Sequence, residues 1–400
     1  MKHNWEYKKL GEVFETVTDF VAAGSFADLR DNVKYMDEKD FAQLIRTTDL
    51  KNNFKNSNFV YVNESAFNYL WRVNLNQECI ILPNIGNCGE IYYLHPSMLK
   101  YQNNVLGPNA ILIKSNKRNH KFFSYALKGN YFQSQLFKII SQVAQSKFNK
   151  TNLKKLELPI PPKEVQERIV SELDEINGMI EGRKEQIKLL DHLAQSIFYE
   201  MFGDPITNPK GWEVKKFGVI GEFQRGGGFL KSDFISDGVP CIHYGQIHMK
   251  FGLVVKGNLT FISSEIAKKS KFAKFNDVII AITSEDLDGS CKSIAWLGNY
   301  DVAVGSHAAI FSHKQNAIFI TYYMRTKAFN LDKERYAHGS KVVEIKPSDI
   351  SKIPIFLPPI SLQNEFASRI EIIEEQKKDI ENSIKELETL LASRMDYWFN

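Results

Sequence analysis

Nearly every local signal in this 400-residue chain occurs twice, and that duplication restricts the fold more than composition does. Trp5, Glu6, Lys8, Lys9 and Gly11 recur 207 positions later as Trp212, Glu213, Lys215, Lys216 and Gly218. Pro161, Pro162 and Gln166 recur 197 positions later as Pro358, Pro359 and Gln363, and this offset continues to Phe202 and Phe399. Such a chain folds as two like domains and two like helices arranged head to tail. It can present two similar surfaces related by a pseudo-two-fold axis, which suits a ligand with two half-sites.

The length fits two domains of about 150 residues plus the helices. The first residues, MKHNWEYKKL, lack the apolar stretch of a signal peptide, and no run approaches the roughly 18 apolar residues of a membrane span, so a cytoplasmic protein is expected. Cys79, Cys88, Cys241 and Cys291 have neither metal-ligand spacing nor the density of a disulfide scaffold, and read as reduced, mostly buried thiols.

The net charge of +4 becomes informative when divided by segment. Residues 163–202 and 361–400 each carry 5 basic and 9 acidic groups. Residues 1–162 carry 21 basic against 14 acidic, and residues 203–360 carry 20 against 15. Two basic halves are therefore joined by acidic helices, and a basic half attracts polyanions.

Each helix is introduced by a double proline, tolerated in a first turn but not inside a helix. In the first, positions 173, 176, 180, 183, 187, 190, 194, 197 and 201 alternate steps of three and four, and all are apolar except Arg183. In the second, 373, 377, 380, 384, 387 and 391 keep the same register, broken by Lys377. Stripes this long predict a coiled coil, with an antiparallel intramolecular pair as the economical solution. Gly178 and Gly182 are expected to allow close approach there. The terminal aromatics, Phe198, Tyr199 and Phe202 with Tyr397, Trp398 and Phe399, are open to two roles, packing on a neighbouring domain or docking a partner protein.

Within each half, short apolar runs bounded by Pro, Gly and Asn read as buried strands: Cys79–Leu82 and Ala110–Ile113, then Val278–Ile282 and Ala308–Phe311. Glu78-Cys79-Ile80-Ile81 matches Asp277-Val278-Ile279-Ile280, and Leu44-Ile45-Arg46 through Leu50 takes the place of Cys241-Ile242-His243 through Ile247. Between the strands lie segments rich in Lys, Asn, Ser and Gly, whose cations suit phosphates and whose amides suit base edges.

No recognisable catalytic constellation is present. The chain lacks a [DN]PP[YFW] loop, a glycine-rich cofactor motif, GxxxxGK[ST], HExxH, paired CxxC and GxSxG. Glu344-Ile345-Lys346 with Asp332 is the nearest approach to a metal-dependent nuclease, and the pattern is common. His243, His248 and His307 lack ligand partners at useful spacing.

The duplicated order of these pieces resembles the specificity subunit of type I restriction-modification systems, over essentially the whole chain. The resemblance rests on Leu158-Pro159-Ile160-Pro161-Pro162 with Gln166, and on Phe356-Leu357-Pro358-Pro359 with Gln363. It also rests on Leu44–Leu50, on Gly238–Ile247, and on Gly339-Ser340-Lys341 before Ile345–Ile350. The first domain departs from that last pattern, reading Gln145-Ser146-Lys147-Phe148 and running three residues shorter before its prolines. The resemblance implies an α+β chain of two mixed α/β target recognition domains related by pseudo-two-fold symmetry, separated by two long antiparallel coiled-coil helices. The limits are 1–157 and 203–354 for the domains, 158–202 and 355–400 for the helices.

The resemblance further implies a prokaryotic, non-catalytic subunit that binds a bipartite asymmetric site in double-stranded DNA, one half-site per domain. It would dock two DNA adenine methyltransferase subunits and, through them, restriction/translocase subunits. S-adenosylmethionine, ATP and Mg would belong to those partners, with no cofactor, metal or catalytic residue in this chain. Arg46, Thr47, Thr48, His243, Tyr244 and Gln246 are expected near base edges. Lys114, Lys117, Arg118, Arg225 and Lys341 are expected mainly on phosphates, with Gln224 and Ser340 beside them. Ile176, Ile187, Leu190, Phe198, Phe202, Ile373, Ile384, Leu387, Trp398 and Phe399 are expected in the helix pair or its partner contacts. A stand-alone nuclease using Asp332, Glu344 and Lys346, and a coiled-coil adaptor without DNA binding, are the alternatives.

Overall fold

The structure is a computed structural model that describes residues 4–55, 57–141, 146–339 and 342–400. It divides into two compact units, Met1–Glu181 with Lys385–Asn400, and Gly182–Ile384. The division between the units falls within each long helix, Lys163–Phe202 and Ile360–Phe399.

The first unit contains, in chain order, β1 (Glu6–Lys9), β2 (Thr16–Asp19), β3 (Ala42–Ile45), α1 (Thr47–Lys51), β4 (Val60–Val62), β5 (Cys79–Pro83), β6 (Tyr92–Leu94), β7 (Asn104–Leu106), β8 (Ala110–Lys114), α2 (His120–Lys128), α3 (Asn130–Ile139), β9 (Glu157–Ile160) and the start of α4 (Lys163–Phe202). Strands β2-β8-β5-β6 form one sheet and β4-β3-β7 a second. β5 is apolar at every position because both its faces are covered. Ile80 and Leu82 pack with Phe122, Phe123, Phe132 and Leu136 of the helices. Cys79 and Ile81 pack with Leu44, Ile45 and Val105 of the smaller sheet.

Leu158-Pro159-Ile160 is not yet helix. It belongs to β9, which pairs antiparallel with β1, Pro159 opposite Tyr7. Proline is acceptable there because each strand of a two-stranded sheet is an edge. The helix then opens on Pro161-Pro162, and Gln166 explains its place in the motif: its Nε2 donates to the Pro161 carbonyl at 2.9 Å. Gln363, fully buried, repeats the bond to Pro358 at 2.9 Å.

The second unit contains the remainder of α4 and β10 (Glu213–Lys216), β11 (Gly221–Arg225), β12 (Val239–Ile242), α5 (Tyr244–Met249), β13 (Val254–Val255), β14 (Thr260–Ile262), β15 (Lys271–Ala273), β16 (Val278–Ala281), β17 (Thr283–Ser284), β18 (Ser293–Trp296), β19 (Val302–Val304), β20 (Ala308–His313), α6 (Ala317–Tyr323), α7 (Lys327–Glu334), β21 (Val343–Glu344), β22 (Pro354–Leu357) and the start of α8 (Ile360–Phe399). Its sheets repeat the plan: β11-β20-β16-β18-β13, β14-β12-β19-β15, and β10 paired with β22.

Strand pairing corrects one detail of the sequence match. Ile80, Ile81 and Leu82 face Ile113, Leu112 and Ile111, while Val278, Ile279 and Ile280 face Phe311, Ile310 and Ala309. Ile80 thus stands where Val278 stands, one residue away from the sequence match, and both belong to the core on the helix side. The core face fixes strand register, since a one-residue slip would turn every side chain to the wrong side.

Each helix has 40 residues, hence about 60 Å of length. Within the first unit, Arg394 Nη2 meets Glu172 at 3.2 Å. Within the second, Lys377 meets Asp191 at 2.8 Å and Phe366 lies 5.5 Å from Phe198. Rising positions in α4 meet falling positions in α8, so the segments are antiparallel in each unit.

Ile176, Ile373, Phe198, Phe202, Trp398 and Phe399 are buried, whereas Ile187, Leu190, Ile384 and Leu387 are half-buried. Four of the six terminal aromatics take the packing role, and Tyr397 is exposed. Phe198 and Phe202 complete the core of the second unit. In the first unit Phe399 lies 5.8 Å from Phe122, and Trp398 lies 6.3 Å from Trp5 with nearly parallel rings. The two breaks in the stripe differ: Arg183 is exposed and bonds Gln186, while Lys377 forms ion pairs with Asp191 and Glu374. Gly178 and Gly182 do not mediate close approach, since a Cβ at either would meet nothing within 4 Å.

Gly178→Ala and Gly182→Ala should therefore each stabilise the protein, by about 0.5–1 kcal/mol, read as a higher denaturant midpoint. Phe399→Ala should destabilise the first unit by about 3–5 kcal/mol through the cavity left beside Phe122, measured by the same titration.

Candidate nucleic-acid interface

Loops gather at one end of the sheets in each unit because parallel pairing forces them to. β3 pairs parallel with β7, and β12 with β19, so the residues after each pair emerge together. Gly107 N donates to Ile45 O at 2.8 Å, and Gly305 N to Ile242 O at 3.0 Å. The turns after β2 and β11 and the loops after β5 and β16 reach the same end.

The second unit carries the more defined cluster. Gly227 bridges Gly305; a Cβ on Gly227 would lie 2.4 Å from the Ser270 backbone and one on Gly226 2.3 Å from Gly305 O, so these two glycines are needed for strand-tip contact. Beside these glycines, His243 caps α5: its Nδ1 accepts from Gly245 N at 3.2 Å. Burial first, then Lys231 and His307, lower the pKa of His243. A neutral ring accepting at Nδ1 carries its proton on Nε2. The Tyr244 ring lies 4.5 Å from His243, 5.1 Å from His307 and 6.0 Å from His248.

Arg225, at the end of β11, is half-exposed; its Nε donates to Ser306 O at 2.9 Å and its Nη2 lies 3.3 Å from Glu344. Glu344 is held by β21, which pairs with β17, and by backbone bonds to His338. The loop between β17 and β18 is braced from α7 by the buried Lys333, whose Nζ donates to Ser290 O at 2.9 Å. Burial lowers the pKa of Lys333.

The first unit has the same frame with other side chains. Asp49 Oδ2 accepts from Arg46 N at 2.8 Å, as Gln246 Oε1 accepts from His243 N at 2.8 Å. The expected base readers are therefore divided. Thr47 and Thr48 lie at this end, half-buried and exposed, and Tyr244 is half-buried beside exposed His307. Arg46 is committed to Asp49, with Nε at 3.0 Å and Nη2 at 2.8 Å, and also to Asn58 O. The Gln246 amide is occupied at both ends, its Nε2 donating to Thr260 at 3.1 Å. These two side chains build the frame.

Of the expected phosphate contacts, Lys114, Lys117 and Arg118 lie at the far end of β8, about 13 Å along the strand from Ala110. Lys114 is buried with Nζ on Asn74 at 2.9 Å, and burial lowers its pKa. Arg118 Nε donates to Val13 O at 3.1 Å, while Lys117 is exposed. Gln224 is exposed on the edge strand β11. Ser340 and Lys341 lie outside the described residues. As for the nuclease pattern, Asp332 faces Arg335 at 3.0 Å and Glu344 faces Arg225, so each acid is opposed by its own guanidinium. Among the described residues, no group of three or more His, Cys, Asp or Glu could hold a metal ion, and no helix is long and apolar enough to cross a membrane.

Sequence reasoning missed Glu344 as a partner of Arg225, and Asp19 and Lys147 as occupants of the matching corner. Nothing local marks them: Arg225 and Glu344 meet across more than 100 residues, and Asp19 and Lys147 are placed by strand pairing with residues far along the chain.

The model of the type I restriction modification DNA specificity domain matches this chain twice, at residues 2–189 and 209–389. Two specificity subunits of type I restriction enzymes from Methanocaldococcus jannaschii are similar in sequence. That of MjaX is 24% identical over 98% of this chain and 93% of its own length. That of MjaVIII is 22% identical over 80% of this chain and 79% of its own. The crystal structure of the S subunit from M. genitalium shares the fold, with a TM-score of 0.56 at 14% identity, covering 99% of this chain and 96% of that one.

Because Arg46 supports Asp49, which is fully buried, Arg46→Ala should lower stability by about 1–3 kcal/mol. Thermal or denaturant unfolding of the variant beside the wild type checks this.

Proposed function

The chain belongs to the type I restriction-modification DNA specificity family, and we propose that it reads a bipartite, asymmetric site in double-stranded DNA, one half-site per unit. The observation that carries this reading is one strand frame built twice with different side chains at its loop ends. His243, Tyr244 and Gln246 in the second unit occupy the places of Arg46, Thr47 and Asp49 in the first. Equal frames would engage equal lengths of duplex, and unequal loops would select different bases. The basic charge of both globular halves favours the phosphate backbone, so affinity should fall with salt.

Chemistry would be supplied by partners. We propose that the helices dock two DNA adenine methyltransferase subunits and, through them, restriction/translocase subunits, and that S-adenosylmethionine, ATP and Mg are bound there. Exposed Leu189 and Leu193 of α4 support this reading, beside a groove of about 520 Å³ shared with Gln376, Asp379 and Ile380 of α8. Leucines left in water on a helix that already has one partner offer surface for another.

The helices would also set the distance between half-sites. Removing residues 183–189 together with the facing 378–384 shortens each helix by about 10 Å, or about 3 base pairs at 3.4 Å each. Sequencing of the sites methylated by the assembled complex should show both half-sites unchanged and the spacer reduced by that amount. A changed half-site, or an unchanged spacer, would refute the ruler.

A further inference from the structure

Strand pairing places two corners in register, and their charges are opposite. Asp19 of β2 stands across from Ile111, which stands across from Leu82. Arg225 of β11 stands across from Ala309, which stands across from Ile280. Three residues past Leu82, Ile85 bridges Lys147; three residues past Ile280, Thr283 pairs with Glu344. The second unit thus has a cation at the end of β11 and an anion on β21. The first unit has an anion at the end of β2 and a cation at the bridge to Ile85.

The pairs also differ in availability. Asp19 is tied to Lys150 at 2.9 Å with its side chain only 14% exposed. Arg225 and Glu344 are joined to each other with 51% and 35% of their side chains exposed. The Nε of Arg225 is fixed on Ser306 O, so the guanidinium plane is set before any ligand arrives.

We infer that Arg225 and Glu344 act together as a specificity determinant that reads one G·C base pair in the half-site of the second unit. The inference rests on the bipartite DNA reading above. A phosphate is a poor ligand for this corner, because the carboxylate 3.3 Å from the guanidinium repels a second anion. A G·C edge in the major groove is a good one: guanine offers O6 and N7 to the remaining N–H donors of Arg225, and cytosine offers its N4 amino group to Glu344. No atom is left facing its own kind. The first unit, with Asp19 withdrawn onto Lys150 and exposed Lys147 in place of Glu344, has no acceptor free for cytosine at that corner. The corresponding position of its half-site is read differently.

The test uses the full chain purified with the subunits that accompany it in its native cells. It is equilibrated with duplexes of random sequence several turns long, and the bound DNA is sequenced. The wild type should select two half-sites, one with an invariant G·C pair. Glu344→Ala and Arg225→Lys should each reduce discrimination at that pair roughly 5- to 150-fold and leave the other half-site intact, which also reports that the protein is folded. Arg225→Lys keeps the charge but loses the fork, so a phosphate contact would survive it and base reading would not. A gain in affinity for all sequences from Glu344→Ala, or an unchanged motif in both variants, would overturn the inference. Selection of a single continuous sequence by the wild type would instead overturn the bipartite reading beneath it.

Discussion

The return of the C-terminal helix end into the first unit is the packing on which the rest depends. Trp398 and Phe399 enter a core made by residues from the first 160 positions, and Arg394 with Trp398 Nε1 holds the Glu172 carboxyl below the usual carboxylate range. The first unit therefore needs residues 385–400 as well as its first 181. Its β1–β9 pair and the equivalent β10–β22 pair close each domain at the point where a helix leaves it. A helix about 60 Å long could not stand alone in water with an apolar stripe; here each end is buried in a domain and the middle turns are only half covered.

That unevenness separates the structural residues from those left for other molecules. Leu173, Ile176, Ile180, Ala194 and Met201 are buried, while positions 183, 187 and 190 carry an exposed arginine and two half-buried apolar groups. The stripe is continuous in sequence, but its coverage is graded, because a sheet domain hides more of a helix than a second helix does. Leu189 and Leu193 lie outside the stripe altogether, and no part of the heptad pattern accounts for their being apolar.

The loop ends show a similar division. Residues that looked like readers, Arg46 and Gln246, are spent on the turns that present their neighbours. Arg225, expected on a phosphate, and Glu344, considered only as a metal-binding acid, face one another in partial exposure. Side-chain type alone did not separate these cases, since an arginine suits a capping role, a phosphate and a guanine equally well. The deciding quantity is which hydrogen-bond partner lies within reach once the strands are in register.

The sequence by itself determined the duplication, the four buried strand runs, the position and length of both helices, and the charge division between basic halves and acidic helices. These are local or periodic properties, and periodicity survives in a one-dimensional string. Gln166 and Gln363 belong here too, since their bonds to Pro161 and Pro358 span five residues. Tertiary structure alone decided that Lys114 is buried on Asn74, that Gly178 and Gly182 face open space, and that Phe198, Phe202, Trp398 and Phe399 are core. It alone set Asp19 and Lys147 in register with Arg225 and Glu344 at opposite sign. Those pairings join residues far apart in the chain, and their geometry follows from strand register, which the buried faces fix and the surface residues merely inherit.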